Sequence, residues 1–157
     1  MGGSRAVLMV GLFLLASASA PLASSHTQQT LTVILVEDGV VSGNITDPAF
    51  VQGNALWFRM EDNTENTTMK VRLDIDQDGV FNASNDFEST DLVHECELNK
   101  TGALVDEDCA VSATYAFSMN ATVGTYAFWV HRTSNETETV WNHTVAVHKD
   151  VHEDEGP

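Results

Sequence analysis

Thr68-Met69-Lys70-Val71-Arg72-Leu73-Asp74-Ile75 sets apolar Met69, Val71, Leu73 and Ile75 against polar Lys70, Arg72 and Asp74, and runs directly into Asp76-Gln77-Asp78-Gly79. A period of two puts one set of side chains on a dry face and the other in water, which is the signature of a half-buried strand. Val111, Ala113, Tyr115 and Phe117 repeat the pattern against Ser112, Thr114, Ala116 and Ser118. Working outward, the alternation predicts strands over Thr30–Val36, Val40–Ile45, Ala55–Met60, Thr68–Ile75, Asp91–Glu97, Ala110–Met119, Thr125–Arg132 and Thr139–His148, with no helix-period stripe. Asp38-Gly39, Asp47-Pro48, Gly53-Asn54, Asn99 to Gly102 and Gly124 supply turn chemistry between the runs. About seven or eight short strands at this spacing predict an all-β fold, a two-sheet antiparallel β-sandwich.

The chain has 157 residues, enough for one well-buried core and too few for two. The sandwich is expected over residues 28–149, and residues 150–157, which gather Glu153, Asp154 and Glu155, read as an acidic disordered tail. Asp and Glu number 23 against 7 Lys and Arg, a net charge of −16. Nucleic-acid phosphates and anionic lipid would be repelled, which argues against both as partners. With 43% hydrophobic residues the chain carries too much apolar material for global disorder.

Arg5, an apolar stretch from Ala6 to Ala16 and the small residues Ser17, Ala18, Ser19 and Ala20 have the layout of a secretory signal over residues 1–20, its end lying between 18 and 25. The stretch is short of the roughly 20 residues of a spanning helix. No second apolar segment follows, so the mature form is expected to lack a membrane span and to be secreted, extracellular and cell-surface associated only through partners. Asn44, Asn66, Asn82, Asn99, Asn120, Asn135 and Asn142 each begin an N-x-Ser/Thr acceptor triplet, seven of the ten Asn in the chain. With Ser and Thr at 27 of 157 residues, about two of ten would match by chance, so N-glycosylation is expected. The many carboxylates beside only three Lys (Lys70, Lys100 and Lys149) resemble the composition of haloarchaeal proteins.

The stretch Gly124-Thr125-Tyr126-Ala127-Phe128-Trp129-Val130, followed by Val140 to Val147, resembles the last hairpin of immunoglobulin-like and bacterial prepeptidase C-terminal domains. That likeness implies a sandwich and carries no active site. Asp74, Asp76, Asp78 and Gly79 read D-x-D-x-D-G, which resembles a calcium loop. Hard cations take oxygen ligands, and carboxylates two apart in a curled loop can converge on one ion. The expected Ca2+ ligands are Asp74, Asp76, Asp78 and the Val80 carbonyl, with Asn82 at the ninth loop position and Asp86 or Glu88 completing the shell. In the EF-hand family the twelfth position is a bidentate Glu, whereas here it is Asn85, and a strand rather than a helix precedes the loop. The pattern looks more like the Asp-rich loops of integrin-type β-hairpins, in a single copy.

Cys96 and Cys109 are the only cysteines, and in an exported chain an even pair reads as a disulfide. Such a bridge stabilises by roughly 3 kcal/mol through the loop it closes. Glu95, Glu97 and Asp108 are the wrong neighbours for an activated thiol. The six histidines (His26, His94, His131, His143, His148 and His152) join in no zinc pattern, and no nucleophile elbow, P-loop or dinucleotide fingerprint occurs. Trp57, Trp129 and Trp141 are expected in strands, as core or as a sugar platform. A non-enzymatic structural or adhesive binding module is expected, meeting a protein or glycan at the cell surface. One alternative is a self-assembling filament or layer subunit that adds the segment Thr27 to Val36 as a strand to the next copy, a homo-oligomer. Another is a small hydrolase or inhibitor domain.

Overall fold

The computed structural model describes residues 27–151; the expected signal segment and the end of the acidic tail lie outside them. Eight strands form: β1 (Thr30–Val36), β2 (Gly39–Val40), β3 (Ala55–Met60), β4 (Thr67–Leu73), β5 (Phe87–Glu88), β6 (Ser112–Ala116), β7 (Gly124–Ser134) and β8 (Thr137–Val147). They make two four-stranded sheets, ordered β2-β1-β3-β6 and β5-β4-β7-β8. The expected sandwich is present, and its pairings are antiparallel except for one: β1 runs parallel to β3, with Thr30 opposite Ala55 and Leu35 opposite Met60. The chain from Val41 to Asn54 makes this possible, because a parallel neighbour needs a crossover rather than a tight turn.

The two inner faces supply the core. Val33 and Leu35 of β1 and Leu56, Phe58 and Met60 of β3 meet Met69, Val71 and Leu73 of β4 and Tyr126, Phe128 and Val130 of β7. Phe58 and Phe128 touch across the layers with ring centroids 5.8 Å apart. Each fully buried side chain of this size contributes about 1.5–3 kcal/mol against exposure, so the alternation read in β4 is the dominant reason the sheets stack.

Two strand expectations are corrected, and one strand is added. Val40–Ile45 is a strand only at Gly39–Val40, because Gly43 turns the chain with φ 55° and Ile45 crosses to bridge Val145 of the other sheet. Asp91–Glu97 is not a strand: Leu92 alone is buried, bridging Met69 and Ala110, while His94 and Glu95 are exposed. Phe87–Glu88 forms β5, too short to leave a period. Among the described residues no helix is long and apolar enough to cross a membrane.

A buried ion pair also joins the layers. Asp62, just after β3, accepts from Arg132 Nε of β7 at 2.6 Å and from the Thr64 hydroxyl at 2.6 Å, while Arg132 also donates to Thr64 Oγ1 at 3.2 Å. Burial pushes the Asp62 carboxyl up, but hydrogen bonds from Arg132 and Thr64 and the Arg132 charge outweigh it and hold the group below the usual carboxylate range.

Candidate metal centre

Strand β4 ends at Leu73, and the next residue, Asp74, is tied to β7 by its N–H bonding the Ala127 carbonyl at 2.9 Å. The chain then curls instead of continuing. Gln77 (φ 57°) and Gly79 (φ 82°) both take left-handed backbone conformations. At Gly79 a Cβ would meet nothing within 4 Å, so the backbone angle and not crowding selects glycine there. The Gln77 side chain anchors the bend by donating to the Thr125 carbonyl at 3.2 Å, and Gly124 leaves room for it, since a Cβ at Gly124 would lie 3.0 Å from Gln77 Nε2.

The curl brings Asp74, Asp76, Asp78 and Asp86 together, one carboxylate oxygen from each lying within 4.8 Å of all the others. Four Asp residues therefore lie close enough to hold a metal ion. Asp86 closes the loop from the far side: its Oδ1 accepts from the Ile75 N–H at 2.8 Å and its Oδ2 from the Asn82 N–H at 2.8 Å. Asp78 Oδ1 accepts from the Val80 N–H at 2.9 Å. Asp74 Oδ2 accepts from the Gly79 N–H at 2.7 Å. Asp74 is 1% exposed, yet its Oδ1 is buried without a hydrogen-bond partner among the described residues. A buried, unsatisfied carboxylate oxygen costs at least 1–3 kcal/mol, and a cation is the partner such an atom lacks. The donors are all carboxylate oxygens, a set that suits a hard cation rather than a soft one.

The other expected ligands fall around this cluster. Val80 follows the bend and is 65% exposed. Asn82 Oδ1 accepts from both the N–H and the hydroxyl of Ser84, at 3.1 and 2.8 Å, which occupies both lone pairs. Glu88 is turned to Arg72, 2.7 Å from its Nε, so Asp86 and not Glu88 completes the cluster.

The disulfide joins Cys96 to Cys109 with Cα atoms 5.9 Å apart. Within its loop Leu98 bridges Leu104, and Asn99 caps the turn by accepting from the Thr101 and Ala103 N–H groups. All seven acceptor asparagines are exposed. The three tryptophans do not share a face: Trp57 alternates outward on β3, Trp129 outward on β7 opposite Arg72, and Trp141 packs inward against the core beside Gly39. Comparison with known proteins finds no protein-family model that matches the chain and no curated protein that matches it. The site thus stands on its own geometry.

Proposed function

We propose that this chain is an exported, N-glycosylated β-sandwich, stiffened by calcium, that acts as a structural or adhesive binding module at a cell surface. The observation that carries the reading is the convergence of Asp74, Asp76, Asp78 and Asp86 around the buried, unpartnered Asp74 Oδ1. Four carboxylates at this distance repel one another by about 1 kcal/mol per pair even in water, and more near a protein surface. A loop that holds them together without helical or sheet pairing is best explained by a divalent ion that repays the repulsion. Calcium is favoured over magnesium because it takes six to eight oxygens in flexible geometry, which suits a loop adding a Val80 carbonyl and waters to four carboxylates. The exposure of every acceptor asparagine supports the glycosylation half of the reading.

The role assigned to the ion is structural. The loop links β4 to β5, whose Phe87 ring packs at a tilt of 50° against Tyr115 of the other sheet with centroids 5.2 Å apart, so fixing the loop fixes an edge of the sandwich. At an extracellular-type Kd of about 0.1 mM, calcium at about 1 mM adds roughly 1.4 kcal/mol. Thermal melting at low background salt tests this: the midpoint should rise with calcium and fall with chelator. A midpoint indifferent to both removes the ion from the account.

A further inference from the structure

Beside the metal loop lies a cleft of about 240 Å³, bordered by Ile75, Tyr115, Phe117, Tyr126 and the turn that carries Asn120. This turn is tight: the Ala121 N–H bonds the Ser118 carbonyl at 3.0 Å and the Asn120 N–H bonds Ser118 Oγ at 3.1 Å. It places Asn120 at its tip and Phe117 at its root. Tyr126 is fixed, its hydroxyl donating to the Thr122 carbonyl. Tyr115 is half-buried, held edge-on by Phe117 at 4.9 Å, and its hydroxyl has no hydrogen-bond partner among the described residues. The cleft therefore sets one accessible ring, Tyr115 with its unused hydroxyl, over a rigid floor of Phe117 and Tyr126, which are 3% and 2% exposed.

We propose that this cleft seats the first sugar of a glycan carried by Asn120, so that the sugar becomes part of the folded structure. The inference rests on the glycosylation reading above and adds to it a place for one particular sugar. Asn120 begins the triplet Asn120-Ala121-Thr122, is exposed, and itself lines the cleft. Its side-chain amide makes no hydrogen bond among the described residues. Asn44, Asn82 and Asn99, by contrast, have their side-chain oxygens engaged by Thr144, Ser84 and Thr101. The volume falls below the roughly 300–1,000 Å³ of drug-sized ligand sites and so fits one ring rather than a chain of them. Sugar rings present apolar C–H faces to aromatic walls and hydroxyls to polar handles. A covalently tethered ligand also sees its site at an effective concentration in the mM range, so a weak cleft suffices.

The experiment uses the full chain secreted from an N-glycosylating eukaryotic host, with each glycan trimmed to a single N-acetylglucosamine, and maps occupancy by glycopeptide mass. Nuclear Overhauser contacts between the Asn120-linked sugar and the Tyr115 ring are expected. The melting midpoint should lie about 2–4 °C above that of Thr122→Ala, measured against the same pair made without glycosylation. Tyr115→Leu should erase that difference, and if Tyr115→Leu does not fold, the sugar-to-ring contacts in the natural chain decide. An occupied Asn120 with no contact to Tyr115 and no shift overturns the proposal. A bare Asn120 among otherwise occupied acceptors overturns it alone, whereas seven bare acceptors overturn the glycosylation reading with it.

Discussion

Asp74 has two different oxygens: one held by the Gly79 N–H at 2.7 Å, the other buried and bare. Asp74→Asn keeps an acceptor for Gly79 and removes one negative charge from the cluster. In chelator the substitution should raise the melting midpoint by relieving repulsion, and in calcium it should lower it by weakening the ion, a reversal of sign of about 1 kcal/mol in each direction. Paired melting curves check it, and a same-sign effect in both buffers would count against the ion. Asp62 supplies an independent test. Its folded pKa lies below the unfolded value, so its contribution is fully present above the unfolded pKa of about 3.9 and is lost as pH falls through the lower, folded value. Arg132→Gln strands that carboxylate, 1% exposed, and should cost about 3–5 kcal/mol at neutral pH, with a smaller loss at pH 2, read by denaturant unfolding. The convergence of the D-x-D-x-D-G carboxylates was legible, because carboxylates two apart in a curled loop point toward one place. The Asp62–Arg132 pair was not, because its partners stand 70 residues apart and only the stacked sheets bring them together.

The β7–β8 hairpin turns through Asn135 and Glu136, with φ of 47° and 68° between Ser134 and Thr137. Two central residues with positive φ match the mirror-image turn that suits twisted strands, for which Asn-Gly is the favoured pair. Glu136 therefore holds a conformation that costs a side-chain-bearing residue roughly 1–2 kcal/mol. Glu136→Gly should raise stability by about 1 kcal/mol while leaving the Asn135 triplet intact, measurable as a higher denaturant midpoint at unchanged slope. The bounds of β1 and β3 follow the alternation because each strand is covered on one face and flanked by turn residues. The parallel pairing of β1 with β3 was not legible, since it depends on the route of residues 41–54 rather than on either strand's pattern. The segment around Leu92 misled for a related reason: one buried residue in a polar run imitates an alternating strand, while Cys96–Cys109 ties the following chain into its own loop.

A net charge of −16 on a chain of 157 residues makes the molecule self-repelling and keeps copies apart unless a specific contact overcomes it. Strand β1 is second in its sheet, paired with β3 along its length and with β2 only at Leu35 and Val36. The assembly alternative would use the remaining β1 edge, and sedimentation in calcium buffer distinguishes it: a monomer at high concentration is the outcome expected of the module reading, whereas a concentration-dependent series of oligomers would favour the filament or layer subunit. The calcium site proposed in the four-aspartate loop is read by equilibrium dialysis with radioactive calcium at low ionic strength. One ion bound per chain with a Kd of about 0.1 mM, weakened at least tenfold in Asp74→Asn/Asp78→Asn, is the predicted result. Stoichiometry and affinity unchanged by the double substitution, or no retained calcium at 1 mM, would contradict it.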